Sequence, residues 1–526
     1  MTAGEREKEP ADAAAFSRAP LAEAMRAYRE AGALAFHTPG HKQGLGAHRL
    51  LRERITQEGL AEEVSLMQEL DDLHGPEGCI KEAQECAARL FGADAAFFMV
   101  NGTTGAIHAM LLAALSPGDA VLLPRNAHRS VWGGLVLTGA RPIYIEPVVD
   151  AELGIAHGLS TASVRAAVAA HPEAKALLLV SPTYYGVASD VRAIAEIVHG
   201  AGLLLLVDEA HGAHLAFSEE LPPAALAAGA DMAAQSTHKL LGAMTQASLL
   251  LLREGRLTGQ RVQAAMSLLT TTSPNYLLLA SLDIARCQME EEGRALLARA
   301  LRLARHLRRE IDAIEGLACF GTERMGGAGA YALDELKLTV TVAGLGLKGP
   351  EAASLLRHRH KIEAELADER NVLFLITYAD TEETAGRLLE ALRAMAREAG
   401  SVRAPGFLTP VEAAALPPVP PLALTPREAF YRRSAAVPFR EAVGRIAAEG
   451  ISFYPPGIPV ICPGELFTAE VCAYIRAMQE AGLKAAGAED AALAAVRVAE
   501  EEAKEAGEAG GIHLAGKRKI DHPRSR

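Results

Sequence analysis

LLLLVDEAHGAH (203–214) and AAQSTHKLLGAMTQASLLLL (233–252) carry the reading of the fold. The first opens as an unbroken apolar run, Leu203 to Val207, and ends on an aspartate. A strand that is apolar at every residue has both faces covered, which marks a parallel sheet packed between helices. Outward from this pair, further short apolar runs appear at AAFFMV (95–100), AVLLP (120–124), PIYIE (142–146) and ALLLV (176–180), with segments of helical length such as 104–115 and 190–200 between them. The alternation predicts an α/β domain built on a mostly parallel sheet.

The flanks read differently. Residues 18–32 carry a helical apolar pattern that HTPGHKQG (37–44) breaks, and 286–316 reads as one long amphipathic helix leading out of the large domain. Residues 317–400 mix strands (LKLTVTV, 336–342; VLFLITY, 372–378) with helices, as a smaller α+β domain would. A Pro-rich stretch at 401–426 marks a boundary. The expected division is an N-terminal arm (1–40), a large domain (41–285), a small α+β domain (286–400), a C-terminal domain (401–482) and an Ala/Glu-rich, then basic, disordered tail (483–526).

The 526 residues are half hydrophobic and 22% charged, with a net charge of −12. That balance describes a folded protein of more than one domain and disfavours a nucleic-acid or anionic-membrane binder. The start MTAGEREKEPADAAAF lacks the apolar core of a signal peptide, and no run of about 18 uncharged apolar residues appears. The six cysteines show no CxxC pair and read as free thiols in a reducing compartment. A cytoplasmic protein is expected.

Three polar sites follow strand candidates, and in parallel sheets ligands bind at the carboxyl ends of strands. NGTTGAIHAM (101–110) combines small residues with a helix start, a ready anion site, although an ordinary Thr-capped turn would read the same way. Asp208, ending an apolar strand, is desolvated and needs a cationic partner such as a protonated pyridine nitrogen. Lys239, between buried strands, sits where desolvation favours the neutral amine that carbonyl chemistry requires; a snorkelling surface lysine is the bland alternative. DEAH also occurs in helicases, but the only approach to a phosphate loop, GIHLAGKR (511–518), lies at the wrong end of the chain with Arg518 in place of Ser/Thr. HGAH suggests metal ligands, yet no companion spacing supports them, and no metal is expected.

Taken together, these motifs resemble the Orn/Lys/Arg decarboxylase family of fold-type I enzymes dependent on pyridoxal 5′-phosphate (PLP), in the shorter form without an N-terminal wing domain. The likeness runs through FHTPGHKQG (36–44), LDDLHGPEGCIKEAQECAARLFGA (70–93), FFMVNGTTGAIHAM, LPRNAHRS (123–130), SPTYYGV (181–187), VDEAHGAH, STHKLLGAMTQ, TTSPNYLLLASLD (271–283) and YPPGIPVICPGE (454–465). It implies that Lys239 is the Schiff-base lysine and Asp208 the partner of the ring nitrogen. It places Thr103, Thr104 and Gly105 in the phosphate turn, and makes Ser236 and His238, beside the lysine, similar to further phosphate contacts. His128 matches the histidine stacked on the ring, where a capping or core role is the alternative; Ala210 and His211 match the opposite face. In this family two subunits complete each site, so Ser273 and Tyr276, with HTPGHK, are expected to serve a partner. Glu465 is similar to an acidic residue near the substrate entrance. The implied reaction decarboxylates a basic L-amino acid, arginine before lysine or ornithine, in a homodimer or larger assembly. A PLP-dependent aminotransferase or aldolase would share the lysine, aspartate and phosphate turn, and a non-catalytic regulatory homologue would retain the fold alone.

Overall fold

In a computed structural model the described residues are 18–399, 416–453, 457–480 and 483–500. The expected disordered start, most of the Pro-rich stretch and the tail from 501 on lie outside them.

Every apolar run of the large domain becomes a strand. The central sheet comprises β1 (Ala95–Met99), β2 (Ala120–Pro124), β3 (Arg141–Ile145), β4 (Ala174–Val180), β5 (Leu204–Asp208), β6 (Met232–Gln235) and β7 (Ser248–Leu252), in the order β1-β7-β6-β5-β4-β2-β3. The five strands from β3 to β6 are mutually parallel, and β7 runs antiparallel to both of its neighbours. β6, the short MAAQ segment, carries so few bulky side chains that its strand character is faint in the sequence. Pairing of Val180 with Asp208, of Gln235 with Leu249 and of Met99 with Ser248 brings these positions to one edge of the sheet. Apolar side chains of both faces are buried beneath helices, which is why the strands read as continuous rather than alternating.

Helices α1 (Pro20–Glu30), α2 (Cys79–Phe91), α3 (Gly102–Ala114), α4 (Arg129–Thr138) and α5 (Tyr276–Asp312) surround the sheet. α1 is bolted to α5: the Leu21 amide donates to Asp283 at 3.0 Å, and Arg286 pairs with Asp283 at 2.7 Å in the interior. The long helix begins ten residues before the expected position 286, at Tyr276, with Asn275 capping it through the Leu278 amide at 3.0 Å. The stretch YLLLASLDIA is apolar enough to pack on the large domain, so one helix of about 55 Å spans the expected boundary at 285. Tyr276 itself is fully buried, and its hydroxyl donates to the Asp71 carbonyl of the same chain at 2.6 Å. That corrects its expected service to a partner's site: a side chain enclosed in its own core cannot reach another subunit.

The small domain is a four-stranded antiparallel sheet of β8 (Ala318–Cys319), β9 (Lys337–Thr341), β10 (Leu366–Ala367) and β11 (Asn371–Leu375), in the order β8-β9-β11-β10. Helix α6 (Glu382–Ala399) packs against α5 beside it. The C-terminal region holds β12 (Ser434–Pro438), β13 (Ile451–Phe453), β14 (Pro459–Ile461), helix α7 (Ala469–Glu480), β15 (Ala485–Ala486) and β16 (Ala495–Ala499). Here the sequence expectation fails: residues 483–500 are not a disordered tail. β16 pairs with β12 from Ser434↔Ala499 to Pro438↔Ala495, and Val496 and Val498 enter a core with Phe439 and Ile451. The alternation in AVRVA was hidden by its Ala/Glu-rich surroundings.

Glu465 also departs from expectation. It is buried rather than placed at an entrance, and Arg125 holds both carboxylate oxygens, Oε2 at 2.7 Å. Its Oε2 further accepts from the Cys462 amide at 2.7 Å, while Arg125 lies 4.5 Å over the Tyr144 ring and donates to the Pro459 carbonyl at 2.9 Å. A carboxylate so enclosed serves as the joint between the C-terminal region and the sheet. Glu465→Gln strands the buried guanidinium and should lower unfolding free energy by about 3–5 kcal/mol. Breaking the exposed Arg141–Glu173 pair should cost less than about 1 kcal/mol. Denaturant titration of the two variants checks both.

Candidate active site

The residues that end the central strands define the site. α3 starts directly after β1: Gly102, at φ +63, turns the chain and donates its amide to the Gln246 carbonyl at 2.9 Å. A left-handed conformation there favours glycine. Asn101 makes no side-chain capping bond, so with the Gly102 amide taken by Gln246 it is the Thr103 and Thr104 amides that lack a side-chain cap, the usual offer of a helix start to an anion. Thr103 is buried, Thr104 exposed and Gly105 buried. The Thr103 hydroxyl bonds those of Ser236 at 2.5 Å and Ser248 at 3.0 Å. The anion turn and the lysine loop, over a hundred residues apart in sequence, are thus one structure.

Asp208 closes β5 and is buried; its Oδ1 accepts the Ala210 amide at 3.1 Å, and it enters no ion pair among the described residues. Burial raises its pKa from 3.8 to about 6, against the opposing pull of the Ala210 amide and Lys239. Lys239 follows β6, and burial lowers its pKa, with Asp208 opposing. Its Nζ lies 2.9 Å from His211 Nε2 and 5.5 Å from the centre of the Tyr184 ring. Tyr184 and His211 stand 4.3 Å apart, ring to ring. Burial, then the charges of Lys337 and Lys239, hold His211 well below the usual histidine range. His128, after β2, caps α4: its Nδ1 accepts from the Ser130 amide at 3.2 Å, with the Ser130 hydroxyl at 2.8 Å. The capping alternative is therefore real, in a residue that stays partly open to solvent. Burial, then Lys239 nearby, lowers the His128 pKa. His238 contacts the Ala247 carbonyl through Nδ1 at 2.8 Å.

Thr103, Ser236, Asp208, Ala210, His211, Lys239, His128 and His238 therefore gather at the carboxyl edge of the sheet. Ser273 is exposed in the loop before α5, and Tyr276 and Glu465 lie elsewhere. Three residues at the cluster escaped sequence reasoning: Tyr184, Lys337 and Asp334. Tyr184 stands in a quoted motif, and a lysine opening the apolar strand LKLTVTV was a visible anomaly. Among the described residues no group of three or more His, Cys, Asp or Glu could hold a metal, and no helix is long and apolar enough to cross a membrane.

The donor set fits PLP: helix-start amides and hydroxyls suit a phosphate, a buried carboxylate lacking an ion-pair partner suits a protonated pyridine nitrogen, and a half-buried, neutral-leaning amine suits an aldehyde. With a mostly parallel sheet, an antiparallel β7 and this site, the molecule is a fold-type I PLP-dependent enzyme. The fold is shared with lysine decarboxylases of Francisella novicida (TM-score 0.80, 22% identity, covering 92% of this chain and 81% of that one) and Escherichia coli (0.77, 22%, 92% and 82%). Residues 19–384 match "Orn/Lys/Arg decarboxylase, major domain" and 392–504 the C-terminal domain of the same family. Arginine decarboxylases of Bacillus subtilis (45% identity over 483 residues, 92% of this chain and 98% of the relative) and Bacillus anthracis (44% over 482, 92% and 97%) are similar throughout. The chain belongs to the Orn/Lys/Arg decarboxylase family, amino-acid decarboxylases whose cofactor is PLP.

Asp208 gives the protein without cofactor a defined pH dependence. A folded-state pKa raised to about 6 means that ionisation destabilises the fold, so this contribution is full below pH about 4 and lost as pH rises through about 6. Asp208→Asn should remove that segment of the stability profile, measured as unfolding midpoint against pH for both proteins.

Proposed function

We propose that this protein releases CO2 from a basic L-amino acid, preferring arginine to lysine and ornithine, with PLP held at the carboxyl edge of the large sheet. The observation that carries the reading is the meeting of half-buried Lys239, buried Asp208 and the turn that opens α3 at that edge. Arginine stands first because the relatives named arginine decarboxylase resemble this chain over nearly their whole length.

When bound, PLP supplies an aldehyde for an amino group and a protonated ring that accepts the electron pair freed as carboxylate leaves. The α3 amides with Thr103, Thr104, Gly105, Ser236 and His238 would hold the phosphate. Asp208 would keep the proton on the ring nitrogen, its cost of burial offset by that cation. Lys239, held toward the neutral amine, would supply the amino group that the aldehyde takes, and whenever Nζ is free it would share a proton with His211 Nε2. His128 would cover one face of the ring, and Ala210 with His211 the other.

Shared sites in a homodimer, in the cytoplasm, complete the reading. The segments around HTPGHK and before TTSPNY leave Phe36 (93% exposed), Leu34 (84%) and Leu268 (79%) in solvent, which suits a covered interface. Among the described residues every cysteine is free, as a reducing compartment allows.

Arginine, lysine and ornithine supplied separately should each be assayed for CO2. Release should be fastest from arginine and fall about 10²–10⁴-fold in Lys239→Ala. Borohydride should fix the cofactor to the 233–252 peptide; a label elsewhere, or colour without CO2 from any of the three, would reject the reading. Sedimentation should return a dimer or larger species, and a fully active monomer would dismiss shared sites.

A further inference from the structure

His211 leaves neither ring nitrogen free. Its Nε2 lies 2.9 Å from Lys239 Nζ, and its Nδ1 lies 3.4 Å from Lys337 Nζ. Lys337 opens β9 and is fully buried, so the small domain places an amine behind the histidine that the large domain presents to its reactive lysine. Asp334, in the same segment, stands 4.0 Å from Lys337 Nζ and 3.0 Å from His214 Nε2, with every one of these side chains buried. Both histidines of HGAH thereby have a charged neighbour in this segment, and nothing in the cofactor-binding roles above accounts for Lys337.

The proton assignment follows from donor and acceptor capacity. A neutral imidazole has one donor and one acceptor, whereas an ammonium can only donate. An imidazolium here would sit in the interior between two amines, with His214 and His128 as further neighbours, and burial adds to that penalty. Lys337 has Asp334 to sustain its charge; burial brings its pKa down to about 8, which keeps the protonated form dominant at neutral pH. Lys239, by contrast, must be a neutral amine for carbonyl chemistry, and its lone pair calls for a donor. The acceptor nitrogen therefore faces Lys337, and the N–H faces Lys239.

The geometry points to Lys337 as a positioning residue: its ammonium holds His211 in the neutral Nε2–H tautomer, with that proton aimed at Lys239 Nζ. The assignment rests on the reading of Lys239 as the cofactor lysine. It makes the direction of proton delivery depend on the small domain being docked, since β9 supplies the ammonium that meets Nδ1.

The test uses the full chain labelled with ¹⁵N-histidine, recorded first without cofactor and then with PLP added; His211→Asn identifies the signal. In the wild-type protein without cofactor, His211 should show an unprotonated Nδ1 and a protonated Nε2. Lys337→Met fills a similar volume without a donor and should convert that single population into a mixture containing Nδ1–H. An imidazolium or an Nδ1–H tautomer in the wild type would overturn the proposal, as would an unchanged tautomer in Lys337→Met. Should the Met variant not fold, the wild-type spectrum alone decides. Absence of CO2 release, with the tautomer as stated, would reject the decarboxylase reading and leave this assignment standing.

Discussion

A buried carboxylate and a half-buried amine, not in a close ion pair with each other, sit beyond the ends of adjacent parallel strands. That arrangement is costly for an empty protein, because a charged carboxyl in the interior without a cation is strongly disfavoured. Asp208 registers the cost in its raised pKa, and Lys239 in its lowered one. The sheet can impose this because β5 is fixed on both sides, by β4 through Val180↔Asp208 and by β6 through Asp208↔Ala234. A slip of one residue would turn Asp208 to the other face and lose the site.

The remaining parts of the site are held to this pair by short-range polar contacts rather than by sequence proximity. Thr103, Ser236 and Ser248 form one hydroxyl cluster that joins three strand ends. Arg125, three residues before His128, is gripped by Glu465, so the C-terminal region fixes the loop that brings His128 to the edge. Tyr185 donates to Asp368 at 2.6 Å, which ties the loop after β4, and hence Tyr184, to the small domain. Each outer region therefore secures a different loop of the same edge.

What the sequence made legible follows from which signals are local. Strands buried on both faces announce themselves as apolar runs, and their order along the chain with helices between them defines the α/β class. Asp208 and the α3 turn were readable because each directly ends or follows such a run, and Lys239 because small and apolar residues and then the run SLLLL come after it. β6 was faint because alanine gives little hydropathy contrast. β16 was masked by composition, although Val496 and Val498 alternate as an edge strand should. Tyr276 and Glu465 were read from motif position, yet burial decides their roles, and burial depends on partners such as Asp71 and Arg125 that lie 205 and 340 residues away. Lys337 is the clearest omission: its meaning arises only when β9 is placed against the HGAH turn.

The placement of Lys337 also bears on how the domains cooperate. A fully buried ammonium is tolerated only where acceptors surround it, and its neighbours here come from two sources, Asp334 of its own segment and His211 of the large domain. Drawn apart from the large domain, the small domain would leave Lys337 with carboxylates no nearer than Asp334 at 4.0 Å; docked, it completes the hydrogen bonding of His211. Stability of the docked arrangement and readiness of the amine at Lys239 are therefore served by the same contact.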